Sequence, residues 1–246
     1  MYLINSKRNP IYAFLFRILG LLVGISAITL QLFTNKFIGK GFMANHVLAY
    51  FTLQTNIFTT LVFLSLVIKT IIIYFKRGKL INTSINRSLH LATTFYITIT
   101  MLVYWTALAP VLGVGSAPLS IANTLFLHLF TPLMSIIDAL LFMKHGKIKR
   151  IDSVKWLAYP ISYLISLIII ANVSDVPYYQ FKIGDEVIPL HYPYPFLEPQ
   201  IVGVWGLVLV SFLLLLFSLG FAYLYISIDK KICDSLIKRR DSKKNL

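Results

Sequence analysis

Apolar residues dominate six stretches of this chain, at about 11–33, 47–75, 89–112, 119–143, 154–172 and 201–228, and charged or turn-forming residues collect between them. At a rise of about 1.5 Å per residue, each stretch is long enough to cross a hydrocarbon layer about 30 Å thick. Transmembrane strands would instead alternate over segments of about ten residues, a pattern the chain lacks. The expected fold is therefore all-α, a polytopic membrane protein with six transmembrane helices in one bundle. It forms a single domain over residues 1–246, with a longer outer loop at about 173–200 and a basic cytoplasmic tail at about 229–246. The first stretch exceeds a signal-peptide core and lacks a small-residue cleavage pattern, so we expect it to persist as a helix.

Polar residues inside the apolar runs say which faces turn inward. The fourth run carries Asn123, Thr124, His128, Thr131, Ser135 and Asp138. Ionisable groups at such depth cost several kcal/mol unless they pair, snorkel or face a wet cavity, so His128 and Asp138 mark the bundle interior. At about 100° per residue, His128, Thr131, Pro132 and Ser135 share a face, with Asp138 about 80° away. The second run places Thr52, Thr55, Asn56 and Thr59 on one stripe, and the third aligns Thr93, Tyr96, Thr100 and Tyr104. Such hydroxyls and amides either line a site or bond neighbouring helices. Arg17 lies as near one end of the first run as Asp138 lies to the corresponding end of the fourth. It either snorkels to the interface or forms a buried ion pair with Asp138, for which Lys69 competes.

Composition changes the picture little, and charge orients it. The 246 residues are 57% hydrophobic and 13% charged, with mean hydropathy +0.77, which belongs to the membrane class. The net charge of +14 is distributed by side. Two basic residues precede the first helix, four lie between the second and third, five between the fourth and fifth, and seven follow the sixth, eighteen in all. Only Lys36, Lys40 and Lys182 lie on the other side, so both termini are expected in the cytoplasm. The basic clusters then need no nucleic acid, since they set topology and sit against anionic lipid headgroups of the cell membrane. Cys233 is the only cysteine, which excludes an internal disulfide, and its position past the last run permits either palmitoylation or an ordinary thiol. No His, Cys or carboxylate cluster has metal-ligand spacing and no Walker or dinucleotide glycine motif occurs, so no metal or cofactor is expected. In the outer loop, Gly184 suggests a short turn, with a small hairpin as one form of it. Residues 191–197, His-Tyr-Pro-Tyr-Pro-Phe-Leu, form either a cap over the outer mouth or an interfacial aromatic belt.

Tyr50-Phe51-Thr52, the interval from Asn123 through His128 to Pro132, and Tyr192-Pro193-Tyr194-Pro195-Phe196-Leu197 together resemble the bacterial relatives of the androgen-induced-protein family. That family consists of six-helix membrane proteins, and its animal members are threonine hydrolases of fatty acid esters of hydroxy fatty acids. The resemblance implies Thr52 as nucleophile and His128 as its base, with membrane lipid or a fatty acyl ester as the substrate or partner. Thr55 stands as a second candidate, because Gln54 and Thr55 before Asn56 depart by one residue from the animal pattern, and the interval from Asn123 to His128 also differs. Asn56, Asn123, Tyr96 and Tyr104 are expected to flank the pair. The residues by themselves leave open a non-enzymatic structural or lipid-binding role and, less well supported by repeats or broken helices, a small-solute transporter.

Overall fold

A computed structural model describes residues 9–37, 44–114, 117–146, 148–174, 176–183 and 185–242. Several residues invoked above lie outside the described set: Lys7, Arg8, Lys40, Lys147, Lys243 and Lys244 of the charge count, and Gly184 of the expected turn. Among the described residues, six helices are long and apolar enough to cross a membrane. They are α1 (Pro10–Phe37), α2 (Phe51–Arg77), α3 (Arg87–Leu112), α4 (Pro118–Leu141), α5 (Asp152–Val173) and α6 (Pro199–Ser242).

Local chemistry explains their ends. Asn9 Oδ1 accepts the amide of Ile11 at the start of α1, and Asn86 accepts the amide of Leu89 at the start of α3, each satisfying an otherwise orphaned helical donor. Gly78, at φ 64°, closes α2 by donating to the Tyr74 carbonyl, a left-handed cap that costs glycine no Cβ clash. A two-stranded antiparallel hairpin, β1 (Tyr179–Ile183) and β2 (Glu186–Leu190), occupies the loop between α5 and α6, with Tyr179 opposite Leu190 and Ile183 opposite Glu186.

α1 packs along α2, α3 lies against both α2 and α4, and α6 runs beside α3. The α1–α2 contact is close because Gly20 and Gly24, one turn apart, face Phe63 and Thr60. A Cβ on Gly20 would sit 2.7 Å from the Phe63 ring. Small residues at this spacing let helix backbones approach where lipid supplies no hydrophobic drive. The bundle interior mixes Phe63, Leu66 and Phe95 with buried Thr55, Asn56, Thr59, Thr94 and Thr98, while large apolar side chains such as Leu15, Leu61, Phe75 and Trp205 are exposed outside.

α6 is longer than its apolar run. The basic tail from about 229 continues as helix to Ser242, because Ala222, Ile226, Asp229 and Cys233 recur at helical spacing as a buried seam. Cys233 is a free, buried thiol on that seam. Below it His145 Nδ1 lies 2.9 Å from Asp229 Oδ1, and the Gly146 amide donates to Asp229 Oδ2.

Candidate functional site

Two helices break their regular hydrogen bonding at the same level. α3 passes through a π-helical turn at Tyr104–Leu108 and α4 through another at Phe126–Phe130. In α4 the local cause is Pro132, which has no N–H to donate to the carbonyl of His128 one turn back. The Trp105 indole donates to that carbonyl instead at 2.9 Å, and the Thr131 hydroxyl donates to Phe126 O at 2.9 Å. Single π turns of this kind are common at functional sites. Here they stack the Tyr104 ring on the His128 imidazole, with centroids 3.6 Å apart and planes 14° from parallel.

His128 reaches across to α2. Its Nε2 is 3.4 Å from Thr52 Oγ1, and its Nδ1 is 3.2 Å from the Thr124 carbonyl. A carbonyl only accepts, so we assign the proton to Nδ1, and Nε2 then presents its lone pair to the Thr52 hydroxyl. His128 is buried, while Thr52 keeps partial exposure.

The loop between α5 and α6 covers this pair. Tyr192, Tyr194 and Leu197 are buried, so residues 191–197 cap the bundle mouth. Glu198, itself 2% exposed, fixes the cap by accepting the amides of His191 at 2.6 Å and Tyr192 at 3.2 Å. The Tyr194 hydroxyl accepts the Phe51 amide at the head of α2 at 3.1 Å, an amide it shares with the Tyr163 hydroxyl. The Tyr163 proton is committed to the Ala49 carbonyl at 2.9 Å. No carbonyl among the described residues takes the Tyr194 proton, which leaves it to donate, and burial pushes its hydroxyl pKa up.

Two cavities meet at Thr52. One, of about 80 Å³, extends between α2, α3, α5 and α6 along Val103, Pro160 and Leu214. The other, of about 150 Å³, extends along Gln31, Leu127 and His128. Thr52, Tyr104, Leu108 and Tyr194 line both and form the neck between them.

The other expected flanking residues divide. Tyr104 lines both cavities, and its hydroxyl donates to the Gly113 carbonyl at 3.3 Å. Asn56 donates to Thr52 O at 2.8 Å and to Leu127 O at 3.2 Å, tying the segment that carries Thr52 to the one that carries His128. Thr55 turns away, bonding Thr52 O at 3.1 Å and the Thr100 hydroxyl at 2.8 Å, and is fully buried. Asn123 donates to Gln31 at 2.7 Å, joining α4 to α1. Tyr96 lies toward the opposite end of α3, donating to Trp156 O at 2.8 Å. Asn56, Asn123 and Tyr96 are not among the residues lining either cavity. Sequence reasoning passed over Trp105, which rescues the carbonyl that Pro132 orphans, and did not single out Tyr194 as a donor. Pro132, in mid-run, was the available signal for the first.

At the far end of the bundle, Arg17 Nε donates to Asp138 Oδ1 at 2.8 Å, with both side chains at most 1% exposed. Lys69 does not compete, since its ammonium donates to the Ser84 carbonyl. The second partner of Asp138 is His90, whose Nε2 is 3.2 Å from Oδ2. Comparison of the chain with protein-family models, curated proteins and solved structures gives no match, so the resemblance to the androgen-induced-protein family rests on its motifs.

Proposed function

We propose that this is a multi-pass protein of the cell membrane, with both termini in the cytoplasm, that hydrolyses fatty acyl esters with Thr52 as nucleophile and His128 as base. The observation that carries the reading is the Thr52–His128 contact, with the lone pair of Nε2 turned to the hydroxyl by the Thr124 carbonyl. A hydroxyl is a weak nucleophile at neutral pH and needs an adjacent base. Catalytic hydrogen bonds commonly run long in an unliganded site, as this one of 3.4 Å does.

The reaction follows from these atoms. Thr52 Oγ1 bonds to the acyl carbon as its proton passes to His128 Nε2. The tetrahedral intermediate collapses, the bond to the alcohol oxygen breaks, and His128 protonates that leaving oxygen. Water then attacks the acyl-threonine while His128 takes a water proton, and the collapse that frees the fatty acid returns the proton to Thr52. Tyr194 is the side-chain donor we assign to the developing oxyanion. The apolar cavities on either side of Thr52 suit hydrocarbon on both sides of the ester.

Fluorophosphonate labelling of the purified protein in detergent tests this reading. Thr52→Ala and His128→Ala should fold normally yet lose both labelling and ester hydrolysis, with His128→Ala down by about 10² to 10⁴-fold. Thr55→Ala should keep both. Full activity in both Thr52→Ala and His128→Ala would reduce the contact to a tie between helices, and absence of hydrolysis and labelling in the unaltered protein would leave a structural, lipid-binding or transport role.

A further inference from the structure

The end of the bundle opposite Thr52 holds a cavity of about 450 Å³ whose lining is mostly polar. Lys69 in the last third of α2, Arg87 at the start of α3 and Lys144 after α4 converge on it, with Ser84, Ser88 and a single carboxylate, Asp152. We propose that this cavity binds a phosphate group carried by a small polar moiety, either the headgroup of a lipid or a free organic phosphate. The site is separate from the Thr52–His128 pair and does not depend on the hydrolase reading.

Charge is the first argument. Asp152 is already engaged, accepting the Lys149 amide at 3.0 Å and lying 3.6 Å from the Lys155 ammonium. The three cations are under-used. Arg87 donates once, to the Gly146 carbonyl at 3.0 Å, leaving most of its five N–H groups. Lys69 donates once, to Ser84 O at 2.6 Å. Lys144, half-buried, has no hydrogen-bond or ion-pair partner among the described residues. An anion is what such a set lacks, and a phosphate carries about −1.5 to −2 at neutral pH with three strong acceptor oxygens.

Donors supply the second argument. Ser88 Oγ accepts the Trp156 indole N–H at 3.0 Å, so its own proton is free to donate into the cavity. The Asn86 side chain caps only the Leu89 amide, which leaves the amides of cavity-lining Arg87 and Ser88 without an intramolecular acceptor among the described residues. First-turn amides of a helix favour phosphate oxygens.

Rigidity supplies the third. The loop before α3 is held from below by Arg17, which donates to Asn82 Oδ1 and to Thr83 O, each at 3.0 Å. Asn82 in turn donates to Phe142 O at 2.9 Å, just ahead of Lys144. The cavity walls are thus anchored to the buried Arg17–Asp138 pair, so little ordering remains to be done on binding. The volume exceeds that of a bare phosphate and falls in the range of about 300–1,000 Å³ usual for small-molecule sites.

The full chain, in nanodiscs of phosphatidylcholine, is titrated with glycerol 3-phosphate in one arm and doped with phosphatidic acid in the other, and binding is read from native mass spectrometry and thermal shift. Stabilisation by either probe supports the site, and the arm that responds identifies the source. Lys144→Gln should weaken that response about tenfold or more, as expected for loss of one charge-assisted hydrogen bond. Lys69→Gln should weaken it similarly, and Lys182→Gln, on the other side of the bundle, should not. If Lys144→Gln folds poorly, Lys69→Gln and the loss of binding at high salt carry the test. No response to either probe, or responses equal in all three variants, overturns the proposal.

Discussion

Replacing Arg17 with methionine should destabilise the protein more than replacing Lys69 with methionine. Arg17 donates to Asp138 Oδ1 at 2.8 Å and Oδ2 at 3.5 Å, to Asn82 Oδ1 and Thr83 O at 3.0 Å, and to Phe142 O at 3.4 Å. Methionine keeps much of the stem volume and removes all five bonds. What remains is a carboxylate with no exposed surface, held by His90 alone. Breaking a buried pair from one side costs about 3 to 5 kcal/mol, and at about 2 to 4 °C per kcal/mol for a chain of this size the melting temperature should fall by about 6 to 20 °C. Lys69→Met removes one hydrogen bond from an exposed ammonium, worth about 0.5 to 1.5 kcal/mol. A double variant, Arg17→Met with Asp138→Leu, should recover much of the loss, because no buried charge is then left unpaired and apolar replacements of buried pairs are often neutral. Thermal unfolding in one detergent, followed by the solubility of the folded fraction, reads all five proteins, the unaltered chain and the single Asp138→Leu variant included. Equal losses for Arg17→Met and Lys69→Met, or a double variant as unstable as the sum of its parts, would refute the reasoning.

Glu198→Ala should leave the amides of His191 and Tyr192 unsatisfied, costing about 1 to 3 kcal/mol, and hydrogen exchange across residues 191–197 should quicken; unchanged protection would show that the cap does not depend on the carboxylate. Gly24→Ala forces a methyl group against Thr60 of α2, so a loss of about 1 to 3 kcal/mol is expected, and a neutral result would mean that the two helices separate freely. Cysteines placed singly at Ser116 and Ser242 should be labelled from the outer and the cytoplasmic face respectively, and the reverse pattern would invert the topology argued from the basic residues.

Much of the fold was legible because burial in lipid is a coarse requirement. An apolar stretch of about 20 residues has few alternatives to a helix, since every backbone donor must be satisfied internally. All six runs are helices in the structure. The end of the last was not legible from hydropathy, because the segment past Ile228 is held by Asp229, which bonds His145 and Gly146, with Cys233 buried one turn on, rather than by apolar length. The Arg17–Asp138 pair was legible in part, since two opposite charges at one depth have strong reason to meet. His90 was not, because a histidine near a helix end carries no sign of its partner until the rotation of α3 about its axis is known. The Gly20–Gly24 contact had a readable spacing, yet that spacing does not say which neighbour fills the gap.

The candidate site exposes a deeper limit, which concerns phase. Assigning faces at about 100° per residue assumes unbroken α-helix, and a π turn adds one residue to a turn, rotating everything beyond it by about the same angle. α4 carries such a turn between Asn123 and Pro132, and α3 carries one from Tyr104. Face arithmetic that runs through either turn drifts by nearly a third of a revolution. Between Tyr96 and Tyr104 α3 is regular helix, ahead of its π turn, and it is their rise of about 12 Å along the axis that separates them, Tyr96 bonding Trp156 while Tyr104 stacks on His128. Thr52 and His128 escape the error, because neither is placed by counting across a π turn from the other; they lie on different helices at similar depth. Pro132→Ala tests this account directly. It restores an N–H one turn after His128, which should compete with Trp105 for the His128 carbonyl and favour regular helix. The expected outcome is equal or higher thermal stability with weaker fluorophosphonate labelling of Thr52, as the imidazole rotates off Tyr104. Undiminished labelling with raised stability would mean that the π turn does not set the position of the histidine.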